Sequence, residues 1–465
     1  MDGTCTSSHG VTGFGHTSKT CSAASAHLSI SRNVTLQSAA VDTYNQPQMN
    51  DHLYPRFAEA PLLEALADSP AVLVHGPRQC GKTTLARLVG EARGYVYFTF
   101  DEEVARAAAE TDPLGFIGDL PELAILDEVQ RVPRVFASLK LAIDRRRTPG
   151  RFILTGSTNV LLVPALADSL AGRMETVHLH PLAQCELSAK PSPFLDGLFR
   201  TGFSAGTSER LGRELAERVA GGGYPAALAR SAGKRRARWY REYLDAIVRR
   251  DVRDLARIAA LDAMPRLLEL MASQTAGLLN VSDLAGPFRL SRPTIRDYVT
   301  LLERLFLVDE LPAWHANHLK RLVRTPKLHV GDTGFAAALL GMDVDALLAE
   351  RQIYGRLLGT FVYQELRRLA SWSDEPVRFS HYRDRDGAEV DVVLERGRLL
   401  AGVEVKAAAT VTDRDFRGLR RLQDAAGLSF VSGVVLYDGE TRASFGERLH
   451  AVPLRALWED PDGPA

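Results

Sequence analysis

Short apolar runs separated by helical stretches dominate the chain from Ala71 to Thr155, and their spacing predicts a parallel α/β sheet. Ala71–His75 (AVLVH) reads as a strand buried on both faces. Tyr95–Phe100 (YVYFTF) is β-branched and aromatic and predicts a second strand, with Asp101 capping the helix after it. Leu123–Leu126 and Arg151–Thr155 predict a third and a fourth. Ahead of them, Tyr54-Pro55-Arg56 opens an amphipathic helix through Leu62, Leu63 and Leu66.

Further on the period changes. Residues 233 to 258 read as helix, with Trp239, Tyr240, Tyr243, Leu244 and Ile247 on one face. Lys234, Arg235, Arg236, Arg238, Arg241, Arg249, Arg250, Arg253 and Arg257 make it basic, and a solvated face is favoured over a phosphate contact. A helix-turn-helix pattern follows. Ser282 starts a short helix that Gly286-Pro287 breaks, and Ser291 caps a longer one with Pro293 in its first turn. Ile295, Tyr298, Leu302, Leu305 and Phe306 give that helix one apolar face, and Leu307–Leu311 begins a wing strand. Asp332 reads as a turn or helix-capping acid rather than a metal ligand. Ala388–Leu394 and Ala401–Lys406 then alternate as two strands joined through Arg396-Gly397-Arg398.

The strongest chemical signal sits between the first strand and its helix. Gly76-Pro77-Arg78-Gln79-Cys80-Gly81-Lys82-Thr83, followed by Thr84, fits the phosphate loop G-x-x-x-x-G-K-[ST]. The glycines let backbone N–H groups converge on a phosphate at a helix N-terminus. Lys82 is expected to reach the β- and γ-phosphates, and Thr83 to complete a Mg²⁺ shell. Asp127, 45 positions after Lys82 at the end of the third strand, suits a water-mediated Mg²⁺ contact, and Glu128 is placed to polarise the attacking water. After the fourth strand, Ser157 and Asn159 both qualify as the polar side chain that feels the γ-phosphate.

Near the C-terminus, strand pairing would put Asp391 beside Glu404, 13 positions on, and Glu404 on one face with Lys406. Two carboxylates and a lysine could hold Mg²⁺ and activate a water against a phosphodiester. The D-x12-E-x-K arrangement resembles the PD-(D/E)xK nuclease core, and Glu365 lies on a helix where that fold carries a further acid.

HGPRQCGKTTL, LDEVQRVP, RFILTGSTN and SLAGRMETVHLHPLAQCEL together resemble prokaryotic AAA+/STAND-type P-loop ATPases carrying a C-terminal domain of unknown function, DUF4143. The resemblance implies ATP as the nucleotide. It implies a parallel-sheet core over 49–190, a helical lid and winged helix over 205–320, and a restriction-endonuclease-like α/β domain over 325–455. It also draws in Arg173 as a γ-phosphate arginine, acting in its own subunit or across a homo-oligomer, against an ordinary surface arginine. Pro225, in GGYPAAL, is either an adenine contact or a turn. Winged helices in such ATPases commonly serve as lids, so that role is favoured over DNA binding.

Composition narrows the picture only a little. Hydrophobic residues make up 45% and charged residues 25%, with 57 basic against 57 acidic, so overall charge selects no DNA or RNA partner. Four scattered cysteines and no long apolar run suit a cytoplasmic protein without a membrane span or signal peptide. Residues 1–48 are expected to be disordered, with folding from about Met49; a mis-assigned start and a functional arm explain the tail equally.

Overall fold

The computed structural model describes residues 53–157, 172–249, 261–317 and 325–459. The expectations for the 1–48 tail, for Asn159 and for Arg250, Arg253 and Arg257 lie outside them. Five strands, β1 (Ala71–His75), β2 (Val96–Thr99), β3 (Ala124–Asp127), β4 (Phe152–Gly156) and β5 (Met174–His178), form a parallel sheet in the order β2-β3-β4-β1-β5. Period-2 geometry splits the apolar run of β1 between two cores. Ala71 and Leu73 pack with Phe136 and Leu139, whereas Val72 and Val74 pack with Leu62, Leu85 and Val89. β5 escapes the apolar pattern because it is an edge strand with Glu175 and Thr176 exposed.

A short strand, β6 (Gly206–Thr207), precedes the helical part. There the helix Met264–Ser273 leads to β7 (Gly277–Leu278), the helices Val281–Ala285 and Arg292–Arg304, and then β8 (Val308–Leu311) and β9 (Lys327–Val330). These three strands form a small antiparallel sheet, β7-β9-β8. Ser291 caps its helix by accepting from the Thr294 N–H at 3.2 Å. Asp332 caps the helix Thr333–Leu339 through the Gly334 N–H at 2.9 Å. Asp101, by contrast, pairs with Arg131 at 2.6 Å, and Glu102 takes the N-cap position before Glu103–Thr111.

The last part is a mixed sheet of β10 (Val377–Arg383), β11 (Glu389–Arg396), β12 (Leu399–Lys406), β13 (Phe430–Tyr437), β14 (Thr441–Ser444) and β15 (Leu449–Pro453). Its order is β10-β11-β12-β13-β15-β14-β6, so β6 joins a sheet far away in sequence. One face, with Val392, Leu394, Val403 and Leu436, shares a core with Leu357 and Phe361 of the helix Arg351–Ala370. The other, with Val393, Leu400 and Val435, packs on Leu419 and Leu422 of the helix Arg417–Ala426.

Candidate nucleotide site and the C-terminal acidic cluster

The phosphate loop lies where β1 ends and the helix Lys82–Glu91 begins. Its glycines are there for different reasons. A Cβ on Gly76 would sit 2.1 Å from the Leu179 carbonyl oxygen, so backbone packing excludes any side chain. Gly81 has φ of 104°, left-handed backbone that L-residues avoid. Arg56 braces the loop from behind, donating to the carbonyls of Cys80 and His180 at 2.6 Å each and to Glu186 at 3.0 Å. Cys80 is buried, its thiol on the Leu179 carbonyl at 3.2 Å, and burial pushes its pKa up. Pro77, Arg78 and Gln79 form the rest of the loop, and Gln79 is itself left-handed at φ 61°.

Lys82 is buried and donates to the Pro77 carbonyl at 2.8 Å, so its ammonium already lies over the loop. Thr83 donates to Asp127 Oδ1 at 2.8 Å, while Tyr97 donates to Asp127 Oδ2 at 2.9 Å. Thr155 adds a further hydroxyl to Asp127. A hydroxyl beside a carboxylate is an oxygen donor set that suits Mg²⁺.

Glu128 stands at φ 57°, an uncommon conformation for a non-glycine residue that costs on the order of 1–3 kcal/mol. Thr155 holds it there by accepting the Glu128 N–H at 3.1 Å. Its carboxylate takes the Ser157 hydroxyl at 2.9 Å and the Gln130 amide. Burial works to raise its pKa, but Lys82, the Gln130 and Ser157 hydrogen bonds and Arg78 together hold it below the ordinary value. Glu128 is therefore ionised near neutrality, as a base must be.

The structure does not bring Arg173 to this site. It lies just before β5, whose first residue pairs with Ala71, so it sits at the opposite edge of the sheet from the phosphate loop. There it pairs with Asp144 at 2.7 and 3.0 Å. The expected contact within its own subunit is thereby corrected: a parallel strand puts its two ends on opposite edges. Pro225 begins a short helix, and the Tyr224 before it shares a hydroxyl hydrogen bond of 3.1 Å with Tyr243. Tyr243 in turn donates to the Arg78 carbonyl at 3.1 Å, which ties the Gly-Tyr-Pro turn to the phosphate loop.

In the C-terminal sheet, Asp391 and Glu404 face each other one step beyond the last pair of the β11–β12 ladder, Val392 with Val403. The β10–β11 register slips here, so that Asp391 and Val392 both oppose His381. The Asp391 N–H donates to Glu404 Oε2 at 3.3 Å, and the Val405 N–H to Asp391 Oδ2 at 3.0 Å. Lys406 donates to Glu404 Oε1 at 2.8 Å. Lys327 completes the cluster, 2% exposed, with its ammonium 2.9 Å from Asp391 Oδ1 and 2.7 Å from Glu389. Burial raises the Glu404 pKa, with Asp391 reinforcing it, while Lys327 overcomes burial to keep Asp391 low.

This arrangement does not fit the expected Mg²⁺. Each of the four oxygens of Asp391 and Glu404 already receives a donor, and the one on Asp391 Oδ1 is the buried Lys327 ammonium, which also pairs with Glu389. Among the described residues no group of three or more His, Cys, Asp or Glu is arranged to hold a metal. Glu365 is not a third ligand. It accepts from the Gln184 N–H at 2.9 Å and from Arg368 at 2.6 Å, buried against the nucleotide-binding part.

The parallel sheet and its phosphate loop define a P-loop ATPase fold. Family models match in three blocks: an AAA domain over residues 68–188, a domain of unknown function (DUF8612) over 212–346 and a domain of unknown function (DUF4143) over 354–457. Uncharacterized proteins Rv2008c of Mycobacterium tuberculosis and Mb2031c of Mycobacterium bovis are each 30% identical over 401 residues, 86% of this chain and 83% of theirs. The chain belongs to their family, P-loop ATPases in which an AAA domain is followed by DUF4143. A Walker-type ATPase of Pyrococcus abyssi, 14% identical, aligns over 63% of this chain and 99% of its own with a TM-score of 0.37.

Proposed function

We propose that the chain binds ATP with Mg²⁺, hydrolyses it, and uses the nucleotide state to change how its C-terminal part holds a nucleic acid. One observation carries the first half: Lys82, the Thr83–Asp127 pair and the Glu128–Ser157 pair converge at the loop. In this reading the loop amides and Lys82 hold the β- and γ-phosphates. Thr83, with Asp127 through water, would hold Mg²⁺, which neutralises phosphate charge. Glu128 takes a proton from the attacking water as its oxygen bonds the γ-phosphorus and the bond to ADP breaks. Ser157 lies beside that step, and Pro225 rests near the adenine. Arg173, held by Asp144 away from the phosphate loop, would reach a γ-phosphate only across a homo-oligomer. Phosphate release from ATP by the purified chain with Mg²⁺ tests this; folded protein that binds ATP without turnover overturns the hydrolytic half.

The C-terminal cluster supports binding over cleavage, because the Lys327 and Lys406 ammonium groups already pair with Asp391 and Glu404. The order of the helices Met264–Ser273, Val281–Ala285 and Arg292–Arg304 with β7, β8 and β9 suits a winged helix, and Arg289 and Arg292 are exposed beside its third helix. Free, buried Cys80 and Cys185 suit a cytoplasmic setting, and no helix among the described residues is long and apolar enough to cross a membrane. With labelled DNA or RNA and Mg²⁺ or Mn²⁺, the expected result is binding without cleavage, the same for Asp391→Ala. Cleavage lost in Asp391→Ala would make Asp391, Glu404 and Lys406 a nuclease centre. Lys327→Ala is expected to lower stability by about 1–3 kcal/mol, since it removes the buried cation shared by two partly buried carboxylates, and a denaturant melt reads this directly.

A further inference from the structure

Gln130 appears in no expected role, yet it is built into the hydrolytic corner. It sits in the single turn Val129–Arg131, directly after Glu128. Its Nε2 donates both to Ser157 Oγ, at 2.9 Å, and to Glu128 Oε2. Ser157 passes its own hydroxyl hydrogen to the same Oε2 at 2.9 Å. The three side chains close a ring in which every donor has an acceptor. The amide cannot be turned over, because its oxygen would then face a carboxylate, which only accepts. Its Oε1 is consequently aimed elsewhere, and it is buried with no hydrogen-bond partner. An orphaned buried acceptor is unfavourable, so the turn keeps the amide for what its N–H groups hold.

We propose that Gln130 is a positioning residue for ATP hydrolysis, resting on the reading of Glu128 given above. It and Ser157 pin one oxygen of the Glu128 carboxylate, which aims the other at the attacking water. A base whose free oxygen is fixed in direction sets a near-attack geometry. A purely structural glutamine would fill the turn equally well without its amide.

Gln130→Met keeps the side chain's length and removes both hydrogen bonds. The expected result is a fall in kcat of about ten- to a hundredfold, the scale of a lost hydrogen bond to a charged group, with ATP affinity unchanged. Because Gln130 touches the base and not the phosphates, the split between kcat and ATP affinity is what sets this role apart from a merely structural one. Ser157→Ala should lower kcat in the same way, and the double variant should lose less than the two single losses multiplied, since the residues act as one unit. A parent that turns over ATP beside a Gln130→Met variant with unchanged kcat overturns the proposal. A parent that binds ATP and never hydrolyses it overturns the reading beneath it instead. A melting curve on each variant separates either outcome from misfolding.

Discussion

Glu128→Gln is expected to bind ATP as tightly as the parent and to lose about 10²–10⁴-fold in turnover, the usual worth of a positioned general base. The substitution is nearly isosteric and keeps an oxygen for the Ser157 hydroxyl, so the left-handed backbone at φ 57° should survive it. What it removes is the negative charge that receives the proton. Lys82→Ala acts differently. It takes away the ammonium over the loop, so affinity itself should fall. Calorimetry for binding and phosphate release for turnover distinguish the two variants. If Glu128→Gln hydrolyses ATP at the parent rate, the base lies elsewhere.

The phosphate loop was legible because its chemistry is local: eight consecutive residues carry the turn, the amides and the lysine. Asp391 and Glu404 were legible as partners because an antiparallel hairpin converts a spacing of 13 into adjacency. What stayed hidden depended on distant chain segments. Arg56 lies 24 positions before the Cys80 carbonyl it braces, and no local pattern announces it. Lys327 is 64 positions from Asp391 and belongs to another sheet, so the cation that occupies the acidic cluster had no signature in the D-x12-E-x-K stretch. The position of Arg173 at the far end of the sheet was hidden because β5 is an edge strand whose polar outer face gives no apolar run. Gln130 could have been found from its position two residues after Glu128, but only the Ser157 contact gives it a role.

Glu365 was misread for the opposite reason. Its helix was expected correctly, but its side chain turns toward the nucleotide-binding part, into a deeply buried charge cluster. Arg368 there donates to Glu365 at 2.6 Å and to the Leu182 carbonyl at 2.9 Å, and lies 3.4 Å from Asp332. The Gly223 N–H donates to Asp332 at 2.8 Å, so the cluster ties Arg351–Ala370 to the segment just before Pro225. Burial drives the pKa of both acids up, and Arg368 is the main force opposing it.

Arg368→Met should therefore cost about 3–5 kcal/mol of stability, the toll of leaving buried acids without their counter-ion. The loss should grow as pH rises above the ordinary carboxylate range, because the unfolded chain ionises both acids freely while the folded variant resists. Adding Asp332→Asn and Glu365→Gln to Arg368→Met should recover much of the deficit, since a neutral network of similar shape removes the unpaired charge. Denaturant melts at pH 5 and pH 8 read both effects. A single variant as stable as the parent at both values would mean that water reaches the cluster and that the two parts are not joined there by buried charge.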